Sequence, residues 1–200
     1  MRSLLLAAVT LIPFGAGAPG DAPAPLPRAV TTRYDVYFRK YSKHYFGPTF
    51  DWRLIKAQAM AESGLSPKAL SDAGARGIMQ LMPSTFAAIQ SSKPHYESID
   101  DPQWNIAAGI VHDRGLWTVF RDRSVADDHE RFMFGAYNAG DMTIVRAQGV
   151  AKRAKLDPAE WPSVETVAPK VPRWRYKETL GYVRTIERNY AAISPAAVKP

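Results

Sequence analysis

An all-α fold is what the sequence predicts, and three observations carry that prediction. Apolar residues recur at three- and four-residue intervals through most of the chain, the spacing of a single helix face. No alternating apolar–polar run bounded by turn residues occurs, so no half-buried strand is expected. Helix punctuation is explicit, with Asp51 and Asp101-Pro102 as starts and Gly47-Pro48 and Gly64 as stops. At 200 residues, 46% hydrophobic and 22% charged, the chain has the makings of one domain with a self-sufficient core.

The elements follow in order. Met1-Arg2 and the apolar run Leu4–Phe14 read as a secretory signal or a short N-terminal anchor over residues 1–20, too short to span a bilayer. Ala16-Gly17-Ala18 has the small-residue cleavage pattern, although Pro19 impedes a cut there, and Gly20 offers another. Residues 21–28 are a Pro/Ala-rich linker that stays extended. The domain proper is expected over 29–193, with 194–200 as a tail.

Within the domain, Tyr34, Tyr37, Phe38, Tyr41 and Tyr45 lie at helical spacing and predict a helix from Ala29 to Phe46. A second helix runs from its Asp51 cap to Gly64. Ser71–Gly77 is a small, glycine-spaced turn, the kind that brings backbone close to a ligand. Pro83 opens a helix to Gln90, and Asp101-Pro102 opens another to about Phe120. Further helices are expected from near Ser124 to Gly140 and, briefly, from Asp141 to Gly149. Val150–Tyr176 holds Pro158, Pro162, Pro169 and Pro172, so helices there must be short. The last helix covers Arg175 to Ala191.

Charge and composition exclude several classes. There is no cysteine, hence no disulfide, thiolate–metal staple or lipobox anchor. His44, His95, His112 and His129 lack paired-ligand spacing, so no metal site is expected; phosphate-loop, dinucleotide and serine-nucleophile motifs are absent as well. The net charge is +7, and Arg146–Lys177 carries eight Lys/Arg against three acids. Such a segment is either a solvated loop or a surface for an anionic polymer. No RNA-module signature accompanies it, so nucleic acid is not expected. Trp161 and Trp174, in the Pro-rich segment, are the tryptophans expected to be exposed.

One acid stands out. Ile55, Ala59 and Glu62 fall at i, i+4 and i+7, placing a carboxyl on an inward-turned helix face. Lost solvation there raises its pKa toward the range in which it donates a proton near neutrality.

Four blocks, AMAESGLSPKAL, GARGIMQLMPST, GAYNAG at Gly135–Gly140 and ETLGYVRTI at Glu178–Ile186, resemble the soluble lytic transglycosylase family in order and spacing. The blocks lie within residues 50–190. The resemblance implies a goose-type-lysozyme-like helical domain around a saccharide groove. It implies an enzyme without cofactor that cleaves peptidoglycan between N-acetylmuramic acid and N-acetylglucosamine, forming a 1,6-anhydro product. Glu62 matches the single catalytic acid/base, and Ser63 a supporting residue at the helix end. Ser71 matches a hydroxyl near the acetamido group, while Gln80 and Met82 match groove residues. Tyr137 matches a tyrosine whose hydroxyl lies near the catalytic carboxyl, with Asn138 beside it. Glu178 matches a sugar-contacting acid, and Tyr182 is expected to pack behind it. Asp141 stands where the family often has proline, which leaves a water-positioning second acid open. The implied partner is the glycan strand, the implied state a monomer and the implied location the periplasm or cell envelope. A goose-type-lysozyme-like hydrolase and a non-catalytic wall-binding subunit of a secretion, conjugation or phage-entry machine remain alternatives.

Overall fold

The computed structural model describes residues 31–194; the expected signal, linker and most of the tail lie outside them. Among the described residues eight α-helices succeed one another: α1 (Asp35–Phe46), α2 (Trp52–Ser63), α3 (Pro83–Ser92), α4 (Pro102–Phe120), α5 (His129–Ala139), α6 (Asp141–Arg153), α7 (Trp161–Val167) and α8 (Tyr176–Ile193). Among the described residues there is no strand, only isolated bridges joining Leu70, Arg76 and Leu81.

Helix ends sit where local chemistry puts them. Asp51 accepts the Arg53 N–H at 3.0 Å and caps α2, and Gly64 closes it in the left-handed conformation at φ 61°. Asp101 accepts the N–H groups of Gln103 and Trp104 at the start of α4. Helix α1 begins at Asp35, later than the aromatic stripe suggests, but the stripe still faces the core through Tyr34, Phe38 and Tyr41. Gly149 does not stop α6, which runs on to Arg153. A glycine inside a helix costs only about 1 kcal/mol, and the buried Ile144, Ala147 and Ala151 hold that helix against α5 and α7.

Helices α4 and α5 form the centre, with Ile106–Ile110 and Phe132–Tyr137 almost wholly enclosed. Helix α2 packs along α8, α5 crosses both α4 and α8, and α1 covers α2 and α4. The expected exposure of Trp161 and Trp174 is not found. Trp161 is 2% exposed and Trp174 7%. The Trp161 ring lies over Gly135, where a Cβ would come within 2.4 Å of it, and meets Phe132 edge-on. The Trp174 indole N–H donates to Thr179 at 2.9 Å. Both rings anchor the Pro-rich segment, together with Val164, Val167, Ala168 and Val171, which are buried as well.

Candidate active site

The C-terminal turn of α2 delivers Glu62 to a cleft, and Ser63 secures that turn. The Ser63 hydroxyl donates to the Ile78 carbonyl at 2.8 Å and accepts the Ser66 N–H at 3.2 Å. The helix end is thereby stitched to the segment after the glycine turn. Glu62 keeps part of its surface open, yet its carboxyl lies deep among protein atoms. That desolvation pushes its pKa up to about 8, against the opposing effect of a hydrogen bond from the Tyr182 hydroxyl. The bond is 2.5 Å long.

The glycine turn forms the next wall. Ser71 closes it by accepting the Ala75 N–H on its hydroxyl at 2.9 Å, and Arg76 and Leu81 exchange both backbone bonds. Asn105 of α4 pins the turn from beneath. Its Oδ1 accepts the Met79 N–H at 2.8 Å, and its Nδ2 donates to the carbonyls of Arg76 and Ile99. Gly77, at φ 76°, passes so close to Asn105 that a Cβ would lie 2.5 Å from the amide. Gln80 is held at φ 45°, a strained setting for a side-chain-bearing residue. Its Nε2 donates to Gly77 and Ala69 carbonyls, so its amide oxygen is the group available to a ligand.

The cleft encloses about 390 Å³, and its walls include Glu62, Gln80, Asn138, Lys177, Glu178, Tyr182 and Arg188. Five residues singled out from the sequence, Glu62, Gln80, Asn138, Glu178 and Tyr182, therefore converge there. Asn138 presents a buried Oδ1 with no partner. Burial raises the Glu178 acid, and Arg175, 3.0 Å away, pulls it back. Ser71 and Met82 do not line this cleft; Ser71 shapes the turn and Met82 precedes α3.

The two tyrosines take different places around Glu62. The hydroxyl on Glu62 belongs to Tyr182, not Tyr137. Tyr137 is 6% exposed and donates to the Met79 carbonyl at 2.8 Å, bracing the glycine-turn segment from α5. Burial and the nearby Glu62 charge both raise its phenol. The pattern that marks Tyr182 is its place one turn after Glu178, with Thr185 and Arg188 continuing the same cleft-facing stripe of α8. Lys177 closes the basic run Arg146–Lys177, whereas Arg188 went unmarked in the sequence because an isolated surface cation carries no pattern.

Among the described residues, no group of three or more His, Cys, Asp or Glu is arranged to hold a metal. His112 sits edge-on to Tyr137, and burial lowers its pKa to about 4 despite the Asp141 charge. Asp141 lies outside the cleft lining and accepts the neighbouring Met142 N–H.

Comparison with known proteins adds to this geometry. Residues 37–158 match the family model described as the transglycosylase SLT domain. The chain belongs to that family. Membrane-bound lytic murein transglycosylase F of Pseudomonas putida is 30% identical over 154 residues, 76% of this chain and 30% of that protein. Its Vibrio cholerae counterpart is 32% identical over 171 residues, covering 82% of this chain and 30% of the relative. The chain thus spans under a third of the length of these curated relatives. The crystal structure of the 70 kDa soluble lytic transglycosylase from Escherichia coli superposes with a TM-score of 0.62 at 27% identity, covering 81% of this chain and 24% of that one. The helical arrangement is the lysozyme-like one of the SLT domain.

Proposed function

We propose that the chain is a peptidoglycan lytic transglycosylase in which Glu62 alone serves as acid and base. The observation that carries this reading is the Glu62 carboxyl, set at the cleft with its pKa near 8. At pH 7 it is mostly neutral and holds the proton that a glycosidic oxygen needs.

Glu62 gives that proton to the oxygen between N-acetylmuramic acid and N-acetylglucosamine as the bond to C1 breaks. The muramoyl acetamido oxygen supports the positive charge at C1. The ionised Glu62 then takes the proton of the C6 hydroxyl, whose oxygen closes on C1 to give the 1,6-anhydro ring. No water enters, and Glu62 ends as it began. The Tyr182 hydroxyl serves the second half, because its hydrogen bond favours the charged carboxylate. The orphan Asn138 acceptor suits an acetamido N–H, and Lys177 with Arg188 suits stem-peptide carboxylates. The names of the relatives support the same reaction class. The expected location is the cell envelope, where the polymer is, and the chain acts as a monomer. No helix among the described residues is long and apolar enough to cross a membrane.

Purified sacculi digested with the wild type and Glu62→Gln, followed by mass spectrometry, test this. Anhydro-muropeptides from the wild type alone are expected. Reducing muramic ends would favour the goose-type-lysozyme-like hydrolase instead. Binding without release would favour a non-catalytic wall-binding subunit of an envelope machine.

A further inference from the structure

A second carboxyl lies in the interior beside Glu62, and the reaction above does not use it. Asp113, in the middle of α4, is fully buried. Its Oδ1 accepts from the Gln58 amide at 3.2 Å. Gln58 is likewise fully buried and sits one helical turn before Glu62 on α2. Two atoms of this pair have no partner, Oδ2 of Asp113 and Oε1 of Gln58.

The chemistry of those two atoms decides the protonation state. An ionised Asp113 would set an acceptor beside an acceptor and leave a buried charge with no counterion. Among the described residues, no Lys or Arg forms an ion pair with it. The titratable groups around it are Glu62 of α2, Tyr137 of α5, Tyr182 of α8 and His112 on its own helix. None is a cation at neutral pH: burial keeps His112 uncharged. A protonated Asp113 carries on Oδ2 the donor that the orphaned Gln58 oxygen lacks, and the two groups together would close an acid–amide ring of two hydrogen bonds.

We propose that Asp113 is a permanently protonated positioning residue, which locks α4 to the α2 turn bearing Glu62 through Gln58 and keeps that neighbourhood free of a second negative charge. Burial, which raises the Asp113 acid well above the ordinary range, is consistent with this. The neutrality matters to Glu62. A charged neighbour would hold the Glu62 proton more tightly and slow the half-reaction in which it must act as a carboxylate. The proposal rests on Glu62 as the acid for its catalytic consequence, though not for the protonation state itself.

The test uses Asp113→Leu, Asp113→Asn and the pair Gln58→Leu/Asp113→Leu in the full chain. Asp113→Leu orphans Gln58, and we expect a lower Tm and a tenfold or greater loss of muropeptide release. Asp113→Asn keeps a neutral acceptor–donor pair, so it should restore most of that loss with the alkaline limb of the pH–rate profile within about 0.3 unit of wild type. The double variant should recover Tm but not rate, since packing returns while the lock does not. An alkaline limb lowered by a unit or more in Asp113→Asn would mean that Asp113 is ionised, and would overturn the proposal. So would a double variant with wild-type rate. Infrared spectra separate this from the reading of Glu62: Glu62→Gln should retain a protonated carboxyl C=O band at pH 7 that Glu62→Gln/Asp113→Asn lacks. Absence of that band in Glu62→Gln sinks the proposal even if the enzyme cleaves peptidoglycan; its presence sustains the protonation state even if it does not.

Discussion

Helix α2 ends on a carboxyl at either side, and α8 supplies each with a tyrosine hydroxyl. Asp51 at the N-terminus accepts from Tyr190 at 2.9 Å, and Glu62 at the C-terminus accepts from Tyr182 at 2.5 Å. The two acids are nonetheless driven in opposite directions. For Asp51, burial pushes upward, but the Arg53 N–H, the Tyr190 hydroxyl and the Arg53 guanidinium outweigh it and hold the acid below its ordinary value. Glu62 has the phenol alone against much deeper desolvation, and ends near 8. The helix dipole adds to the contrast, favouring negative charge at the start of α2 and opposing it at the end. A tyrosine hydroxyl alone does not decide protonation; the depth of desolvation, set against all the donors around the acid, does.

The severest break of this comparison is Glu62→Gln. Losing the general acid should cost at least 10²–10⁴-fold in muropeptide release, measured on purified sacculi. The same substitution should stabilise the fold, because the folded pKa of Glu62 lies above its ordinary value of 4.5. Stability contributed by its proton is complete below pH 4.5 and is lost as pH rises toward 8. Glu62→Gln should therefore gain on wild type by at most about 1.4 kcal/mol for each pH unit across that window. Thermal unfolding at pH 4, 6 and 8 reads the slope, and equal Tm differences at all three would contradict a raised pKa.

Tyr182→Phe comes next. It removes a bond that favours the carboxylate, so the alkaline limb of the rate profile should move up by about one unit while kcat falls about tenfold. An unchanged limb would mean that the phenol does not touch the working acid.

Most of the helices were legible because their signals are local: Asp51, Gly64 and Asp101-Pro102 act within one turn of themselves. Glu62 was legible because i, i+4 and i+7 place it on an inward face. Asp113, equally inward, was not singled out. Its partner Gln58 lies 55 positions away in sequence, and no spacing rule joins two helices. The same limit produced the error over Trp161 and Trp174. A proline-rich, basic segment reads as surface, whereas Gly135 on another helix provides the slot that buries Trp161. Gly149 misled for the complementary reason, since tertiary packing against α5 and α7 overrides a weak local stop.

The mildest tests lie at the other end of α2. Asp51→Ala should cost about 1 kcal/mol at pH 7 through loss of the cap. Because the folded pKa of Asp51 is depressed, its contribution stands above pH 3.8 and is lost as pH falls through the folded value. Tyr190→Phe keeps the ring against α2 and loses one hydroxyl bond to a carboxylate whose side chain is 27% exposed, so about 0.5 kcal/mol is expected. Neither should shift the alkaline limb of the rate profile, which belongs to Glu62. Denaturant unfolding paired with that profile gives the decision. If Tyr190→Phe moved the limb as far as Tyr182→Phe does, the two ends of α2 would share one electrostatic environment, and the protonation of Glu62 could not be attributed to the cleft.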